Sequence, residues 1–159
     1  MDTPSSAQCI DRVLVATDLS PASNALYAAA RDLLCPGGTV HLVHVLDPAE
    51  SLWSALVRDY SPEGIEKQML IQAESALLDL DPSGQPLPTL EAHIMVGHPA
   101  AQIASQAEAV GADLILVGAA RGEGVLQGIL GHVADEVLRR TRCPTMVIPV
   151  GVKTARPHL

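Results

Sequence analysis

The chain has very few aromatic side chains. Its 159 residues include no Phe, one Trp and two Tyr, yet 48% of them are hydrophobic. This length and composition predict one globular domain with a sizeable core built from aliphatic side chains. Proteins that bind single-stranded nucleic acids stack the bases on aromatic rings. The scarcity of such rings therefore argues against that class of function.

Positive charge is also in short supply. Ten Lys and Arg residues face eighteen Asp and Glu residues, which gives a formal net charge of −8. Binding to a phosphate backbone needs clustered basic side chains, so we expect no nucleic-acid partner. A small charged ligand held by backbone dipoles is more consistent with this composition.

Cysteine is sparse, and long apolar runs are absent. Cys9, Cys35 and Cys143 form no CxxC pair and have no metal-ligand spacing. An odd count does not indicate a disulfide framework, so we expect three idle or buried thiols in a reducing cytoplasm. No run reaches the roughly 18 apolar residues that span a bilayer, and residues 1–8 lack an apolar signal core. The expectation is a cytoplasmic protein without a membrane partner.

Strand and helix patterns alternate along the chain. Apolar runs typical of buried parallel strands lie at residues 12–17, 39–46, 91–96, 113–117 and 145–149. Helical patterns lie between them at residues 20–34, 62–80, 100–110 and 132–141. This order predicts an α/β fold, namely a doubly wound, Rossmann-like sheet of five parallel strands with helices on both faces. We expect a single domain over residues 1–150, followed by a flexible tail over residues 151–159.

A glycine-rich segment follows the fourth predicted strand. Five glycines lie between that strand and the next helix, at positions 118, 122, 124, 128 and 131. Glycines allow backbone N–H groups to approach a ligand, and the helix N-terminus adds partial positive charge. The segment is therefore a candidate phosphate site. It contains no Lys, so the P-loop pattern of nucleotide hydrolases is absent.

In a doubly wound sheet, ligands bind beyond the carboxyl ends of the strands, where the strand order reverses. We expect the first and fourth strands to flank this point, which brings Asp18 and Gly118 into one crevice. Asp18 has two interpretations: it contacts a ribose, a base edge or a metal on the phosphates, or it caps the turn into the first helix. Val45, at the end of the second strand, belongs to the sheet core by its pattern.

A set of short motifs occurs in a specific order. It comprises VLVATDLS at residues 13–20, VHV at 43–45, GHPA at 97–100, ADLILVG at 112–118, GHVADEVL at 131–138 and TRCP at 141–144. In this order the chain resembles the universal stress protein family over about residues 12–150. The resemblance implies an α/β domain that usually dimerises through its last strand. It also implies a family in which some members bind ATP and others do not, and by the same resemblance Val45 would line the adenine pocket.

The ATP-binding members of that family show a glycine, two residues, a glycine, nine residues, a glycine and then Ser or Thr. Gly118 and Gly131 match the first and last glycines, whereas Arg121 and His132 replace the middle glycine and the hydroxyl residue. The neighbouring Gly122 can take over the tight turn, and both Arg121 and His132 can donate hydrogen bonds to phosphate. Glu123 opposes binding because it adds negative charge to the same loop.

The preferred hypothesis is a regulatory module that binds ATP or a related adenine nucleotide, alone or with Mg²⁺ or Mn²⁺ held mainly by the phosphates. The predicted binding residues are Thr17, Asp18, Val45, Val117, Gly118, Arg121, Gly122, Gly131, His132 and Val133. The alternative is a dimeric scaffold of the same fold with a lapsed ATP site. No catalytic set stands out, so any ATP hydrolysis should be slow.

Two further expectations concern metals and assembly. His41 and His44 lie three residues apart on a strand, so they point to opposite faces and cannot bind one ion without further ligands. We interpret His98 as the residue at which the chain enters the third predicted helix. We therefore predict no protein-held metal. The last strand is apolar and lies at the edge of the expected sheet, where pairing with a second copy would cover it. The expected assembly is a homodimer, although coverage by the tail is an alternative.

Overall fold

A computed structural model describes residues 9–48, 61–80, 86–120 and 132–150. The strands are β1 (Ile10–Ala16), β2 (Leu34–Leu46), β3 (Thr89–Val96), β4 (Leu114–Ala120) and β5 (Thr145–Val150). The helices are α1 (Asn24–Leu33), α2 (Pro62–Leu80), α3 (Pro99–Val110) and α4 (His132–Arg140), and a short 3₁₀ turn (Pro21–Ser23) precedes α1. Among the helices of the described residues, none is long and apolar enough to cross a membrane.

The five strands form one parallel sheet in the order β3-β2-β1-β4-β5. From β1 the chain builds outward to β2 and β3, then crosses back to add β4 and β5 on the other side. The order therefore reverses between β1 and β4, as predicted from the alternating pattern. This reversal opens a crevice beyond the carboxyl ends of these two strands.

Helices cover both faces of the sheet, which confirms the predicted α/β architecture. On one face, α1 and α2 pack over alternate strand residues such as Val13 and Val15. On the other, α3 and α4 pack over the intervening residues, such as Leu14 and Ile115. Side chains of successive strand residues point to opposite faces, so a strand covered on both sides is apolar throughout. Among the described residues, the buried hydrophobic core consists of aliphatic side chains apart from Tyr27 and Met69.

All five strands are longer than the sequence pattern indicates, and the extensions of β2 and β4 change the interpretation of the neighbouring segments. β2 begins at Leu34, so the Pro-Gly-Gly segment at residues 36–38 lies inside the strand rather than in a turn. A register shift in β1 between Ile10 and Arg12 accommodates the extra residues of β2. β4 continues to Ala120 because it remains paired with β5 as far as Val150. Residues predicted to begin the glycine loop therefore belong to the sheet.

The expectation of three unpaired thiols is wrong. Cys9 and Cys35 form a disulfide, with their Cα atoms 4.9 Å apart. The pairing follows from the early start of β2, which places Leu34 beside Ile10. Cys9 precedes Ile10 and Cys35 follows Leu34, so the two cysteines lie close together. Cys143 keeps a free thiol that donates to the Ala112 carbonyl oxygen at 3.2 Å, and burial raises its pKa. The predicted cytoplasmic location stays a prediction.

Candidate functional site

A cavity of about 450 Å³ lies at the carboxyl ends of the central strands. Its volume falls within the range of about 300–1,000 Å³ that is usual for small-molecule sites. The lining residues are Ala16, Thr17, Asp18, Ala22, Ser23, Leu26, Val43, His44, Val45, Pro99, Ile103, Val117, Gly118, His132, Val133, Ala134 and Val150. Most are apolar, and the polar groups cluster at the end of β1. Such a cavity is suited to a ligand with a flat apolar part and a polar part.

A chain of hydroxyl groups organises the end of β1. The Tyr27 hydroxyl donates to Thr17 Oγ1 at 3.2 Å, Thr17 Oγ1 donates to Ser23 Oγ at 3.0 Å, and Ser23 Oγ donates to Asp18 Oδ1 at 3.0 Å. Thr17 Oγ1 also accepts a bond from the Leu19 N–H at 3.0 Å. Thr17, Ser23 and Tyr27 are all buried. Because these three hydroxyls are all hydrogen-bonded, the network holds Asp18 in one orientation at the cavity wall.

The Asp18 carboxylate is both a turn cap and a cavity group. Its Oδ1 accepts the Ser20 N–H at 2.9 Å, which is the capping role that the sequence offered as one interpretation. Partial burial raises the Asp18 pKa, but the hydrogen bonds from Ser20 and Ser23 outweigh it and leave the pKa below its ordinary value. The carboxylate is therefore ionised at neutral pH. It lines the cavity as an acceptor for a ligand hydroxyl or amino group.

His44 is a cavity residue that the sequence analysis missed. Its Nδ1–H donates to the Thr17 carbonyl oxygen at 2.9 Å, and the Thr17 N–H donates to the Val43 carbonyl oxygen at the same distance. These two bonds tie the ends of β1 and β2 together beside Val45. The sequence feature that could have identified His44 is a polar residue within an apolar strand, one position before Val45.

Gly118 forms the opposite wall, at the end of β4. An added Cβ at this position would lie 3.1 Å from Cγ1 of Val150 on the neighbouring strand. That approach is tighter than ordinary carbon contacts, so any side chain here must displace Val150 or project into the cavity. The glycine therefore keeps the wall thin near the carboxyl end of β4, two residues before the strand ends at Ala120. Val117, the residue before it, is buried against the α3 and α4 face.

The first turn of α4 reaches the cavity through His132 and Val133. One turn later, Glu136 accepts a hydrogen bond from Arg140 at 2.7 Å and lies 3.3 Å from His98 Nε2 and 3.6 Å from His132 Nε2. The Arg140 hydrogen bond is the main cause of a lowered Glu136 pKa, although a small desolvation effect opposes it and the two histidines add to it. The Arg140 guanidinium thus offsets the negative charge of Glu136. The N-terminus of α4 therefore remains favourable for an anion.

Seven of the ten predicted binding residues line the one cavity: Thr17, Asp18, Val45, Val117, Gly118, His132 and Val133. The other three, Arg121, Gly122 and Gly131, lie outside the described residues, as does the glycine-rich segment around them. The structure therefore brings the β1, β2, β4 and α4 parts of the predicted site together. It adds Ser23 and His44 as polar groups of the same cavity.

The family model for the universal stress protein family matches residues 10–149 of this chain. The chain belongs to the universal stress protein family. The match extends from the first residue of β1 to the next-to-last residue of β5, and it confirms the resemblance identified from the sequence motifs.

Individual relatives are distant. The universal stress protein MJ0531 of Methanocaldococcus jannaschii is 27% identical over 119 residues, covering 69% of this chain and 64% of the relative. A crystal structure of a universal stress protein in complex with cAMP is 22% identical, covers 89% of this chain and 98% of that one, and has a TM-score of 0.60. The universal stress protein of Archaeoglobus fulgidus in complex with dAMP is 23% identical, covers 87% and 96%, and has a TM-score of 0.54. At these identities the structural likeness establishes the fold.

Proposed function

We propose that this protein is a regulatory module that binds an adenine nucleotide, with ATP as the preferred ligand, in the cavity between the ends of β1 and β4. The observation that carries this proposal is the convergence of Asp18, Gly118 and the first turn of α4 on one cavity of about 450 Å³. This arrangement supplies an acceptor at one side and a thin wall beside a helix N-terminus at the other. Those are the features that a nucleoside and its phosphates require.

The charges suggest how the nucleotide lies. The ionised Asp18 carboxylate would repel phosphates but accept hydrogen bonds from ribose hydroxyls, so the nucleoside belongs near Asp18 and Val45. The phosphates then extend past Gly118 toward His132 and Val133 at the start of α4. Arg121, Gly122 and Gly131 complete the proposed phosphate site from the segment between β4 and α4. Mg²⁺ or Mn²⁺ would arrive bound to the phosphates.

The family relatives support the class of ligand. One universal stress protein structure contains cAMP and another contains dAMP, both of which are adenine nucleotides. Each has the same fold as this chain at 22–23% identity. The preference for ATP over a monophosphate rests on the spacing of Gly118 and Gly131. Titration with AMP beside ATP measures this preference directly.

Calorimetric titration of the purified chain with ATP, AMP and cAMP, each with Mg²⁺, tests the proposal. Saturable binding of one nucleotide per chain is expected, and Asp18→Ala should weaken it by about tenfold because it removes a charged acceptor of the ribose. The matched control is Asp135→Ala, which removes an exposed α4 carboxylate paired with Arg139. The absence of heat with all three nucleotides at high protein concentration would overturn the proposal.

The second candidate is a scaffold of the same fold with a lapsed nucleotide site. It is favoured by Arg121 and His132, which replace two motif residues of the ATP-binding members. The variant Arg121→Gly separates the two candidates. ATP binding that is present in the variant and absent in the parent supports the lapsed site, whereas loss of ATP binding in the variant supports a direct role of Arg121.

In both cases we propose a homodimer that forms through β5. This strand lies at the edge of the sheet, and its Met146 side chain is 38% exposed. An apolar strand edge of this kind favours pairing with another chain. In light scattering after size exclusion, Met146→Asp should shift the mass toward the monomer. Leu138→Asp, which charges an equally exposed side chain on α4, is the control and should not.

A further inference from the structure

Three potential metal ligands meet on β2 and β3, away from the cavity. His41 Nδ1 lies 3.1 Å from His93 Nε2 and 3.3 Å from Glu91 Oε2, and His93 Nε2 lies 4.0 Å from the same carboxylate oxygen. Two imidazole nitrogens and one carboxylate oxygen therefore converge on one point. Within the described residues, they form a group whose donor atoms all lie within 4.8 Å of one another.

The parallel register of the two strands creates this cluster. His41 on β2 is paired with Glu91 on β3, and His93 lies two residues further along the edge strand. Residues two apart share a face, so all three side chains lie on the face that α3 covers. None of the three residues lines the carboxyl-end cavity, and His41 is two residues, or about 7 Å at the usual strand rise, before Val43, the first β2 residue of its lining. The cluster is therefore separate from the proposed nucleotide site.

The separations match those around a tetrahedral metal ion. Zinc binds His nitrogen at about 2.0–2.1 Å and carboxylate oxygen at about 2.0–2.2 Å, which places neighbouring ligand atoms roughly 3.4 Å apart. The three observed distances lie on either side of that value, so small side-chain rotations would complete the geometry. Two imidazoles with one carboxylate suit first-row transition ions, whereas Mg²⁺ and Ca²⁺ prefer oxygen ligands.

We propose that His41, Glu91 and His93 bind a divalent transition-metal ion of the zinc class, which cross-links the edge strand β3 to β2. Three protein ligands leave the fourth tetrahedral position for water or an external ligand. His41 supplies a buried, rigid ligand, while His93 and Glu91 have side chains that are 23% and 52% exposed. The ion can therefore enter from solvent at the sheet edge.

The two other histidines near a carboxylate provide a matched control. His98 and His132 both lie close to Glu136, but that carboxylate is already bonded to Arg140. A nonspecific affinity of surface histidines for metal would involve this group as much as the β2–β3 cluster. The variants Glu91→Gln and His93→Ala remove proposed ligands, and His98→Ala removes a histidine with a half-exposed side chain outside the cluster.

The test uses the full chain without an affinity tag, freed of metal with a chelator. Titration with Co²⁺ is followed by visible absorption, which reports tetrahedral coordination, and titration with Zn²⁺ is followed by calorimetry. One ion per chain is expected. Removing even an outer-shell partner of a metal ligand lowers affinity by about 10–100-fold, so Glu91→Gln and His93→Ala should each lose at least about 100-fold, and His98→Ala should lose none.

Thermal unfolding distinguishes the loss of a metal ligand from the loss of the folded structure, because it shows whether each variant still unfolds cooperatively and whether Zn²⁺ stabilises it. Zn²⁺ should raise the unfolding temperature of the parent and of His98→Ala but not of Glu91→Gln, whose altered side chain is half exposed. Absence of stoichiometric binding to the parent overturns the proposal, as does binding that His98→Ala removes and His93→Ala retains. Neither result bears on the nucleotide proposal, which calorimetry with ATP tests separately.

Discussion

The Tyr27 hydroxyl of α1 donates a hydrogen bond to Oγ1 of Thr17 at 3.2 Å, and both side chains are 5% exposed or less. This bond joins the α1–α2 core layer to the turn that carries Asp18. Burial is the main cause of a raised Tyr27 pKa, and the nearby Asp18 charge adds to it. The phenol therefore remains a neutral donor throughout the physiological pH range.

Tyr27→Phe should lower the free energy of unfolding by about 1 kcal/mol, because it removes one buried hydrogen bond and keeps the ring. For a chain of this size, that corresponds to a decrease of about 2–4 °C in the unfolding temperature. Urea denaturation and thermal unfolding measure both quantities. A variant as stable as the parent would show that Thr17 finds another partner.

Thr17→Val should be more destabilising, by roughly 2–3 kcal/mol, because it leaves the Tyr27 hydroxyl and the Leu19 N–H without their acceptor. Thr17→Ser is the control, since it keeps the hydroxyl and removes one methyl group. A valine variant no less stable than the serine variant would argue against the hydroxyl network. Nucleotide titration of the same proteins would show whether the network also orients Asp18.

The lowered pKa of Asp18 predicts a specific dependence of stability on pH. A carboxyl with a depressed folded-state pKa stabilises the protein well above its unfolded pKa of 3.8, and this contribution is lost as the pH falls through the lower folded value. Asp18→Asn should therefore be less stable than the parent at pH 7. The difference should shrink steadily below pH 3.8.

Urea midpoints of the two proteins across this pH range provide the measurement. Asp135→Asn is the comparison, because its carboxylate is exposed and outside the hydroxyl network. A difference between parent and Asp18→Asn that is constant with pH would indicate that the altered turn geometry, rather than the charge, destabilises the variant.

The Cys9–Cys35 disulfide should stabilise the native protein by about 3 kcal/mol relative to Cys9→Ser, because it closes a loop with a sequence separation of 26. Under oxidising conditions the variant should unfold several degrees below the parent. A reductant should lower the unfolding temperature of the parent to that of the variant. Cys143→Ser is the control, since serine also donates to the Ala112 carbonyl. Equal stability of parent and Cys9→Ser would show that the pairing contributes nothing.

The parallel strands, the reversal between β1 and β4 and the main cavity were predictable because they follow from local patterns. Apolar runs alternating with helices imply parallel strands, and Asp18 and Gly118 lie near the carboxyl ends of the two central ones. Contacts between strands were not predictable in the same way. The Cys9–Cys35 pair and the His41–Glu91 pair depend on the register of β2 against its neighbours. Tertiary packing determines that register, so it could not be predicted from the spacing of residues along the chain.

Gly111 ends α3 in the left-handed conformation, with φ of 64°, and its N–H bonds to the carbonyl oxygens of Ala107 and Glu108. The sequence predicted this glycine as the helix C-cap, and the structure confirms it. An added Cβ would lie 3.4 Å from Nη1 of Arg12, which is close to ordinary van der Waals contact. Any effect of a small side chain at this position should therefore come mainly from backbone conformation.

Gly111→Ala should lower the free energy of unfolding by about 1 kcal/mol, and Gly111→Asn by less, because asparagine tolerates the left-handed region better than alanine. Gly64→Ala is the comparison within α2, where the helical backbone suits alanine; the added Cβ would lie 3.1 Å from the Ser61 hydroxyl oxygen, which accepts the Gly64 N–H and must shift slightly, so part of the gain is lost. That substitution should stabilise the protein by up to about 1 kcal/mol. Urea denaturation should thus give opposite signs for the two alanine variants. The same sign for both would mean that packing, and not the left-handed cap, determines the effect at Gly111.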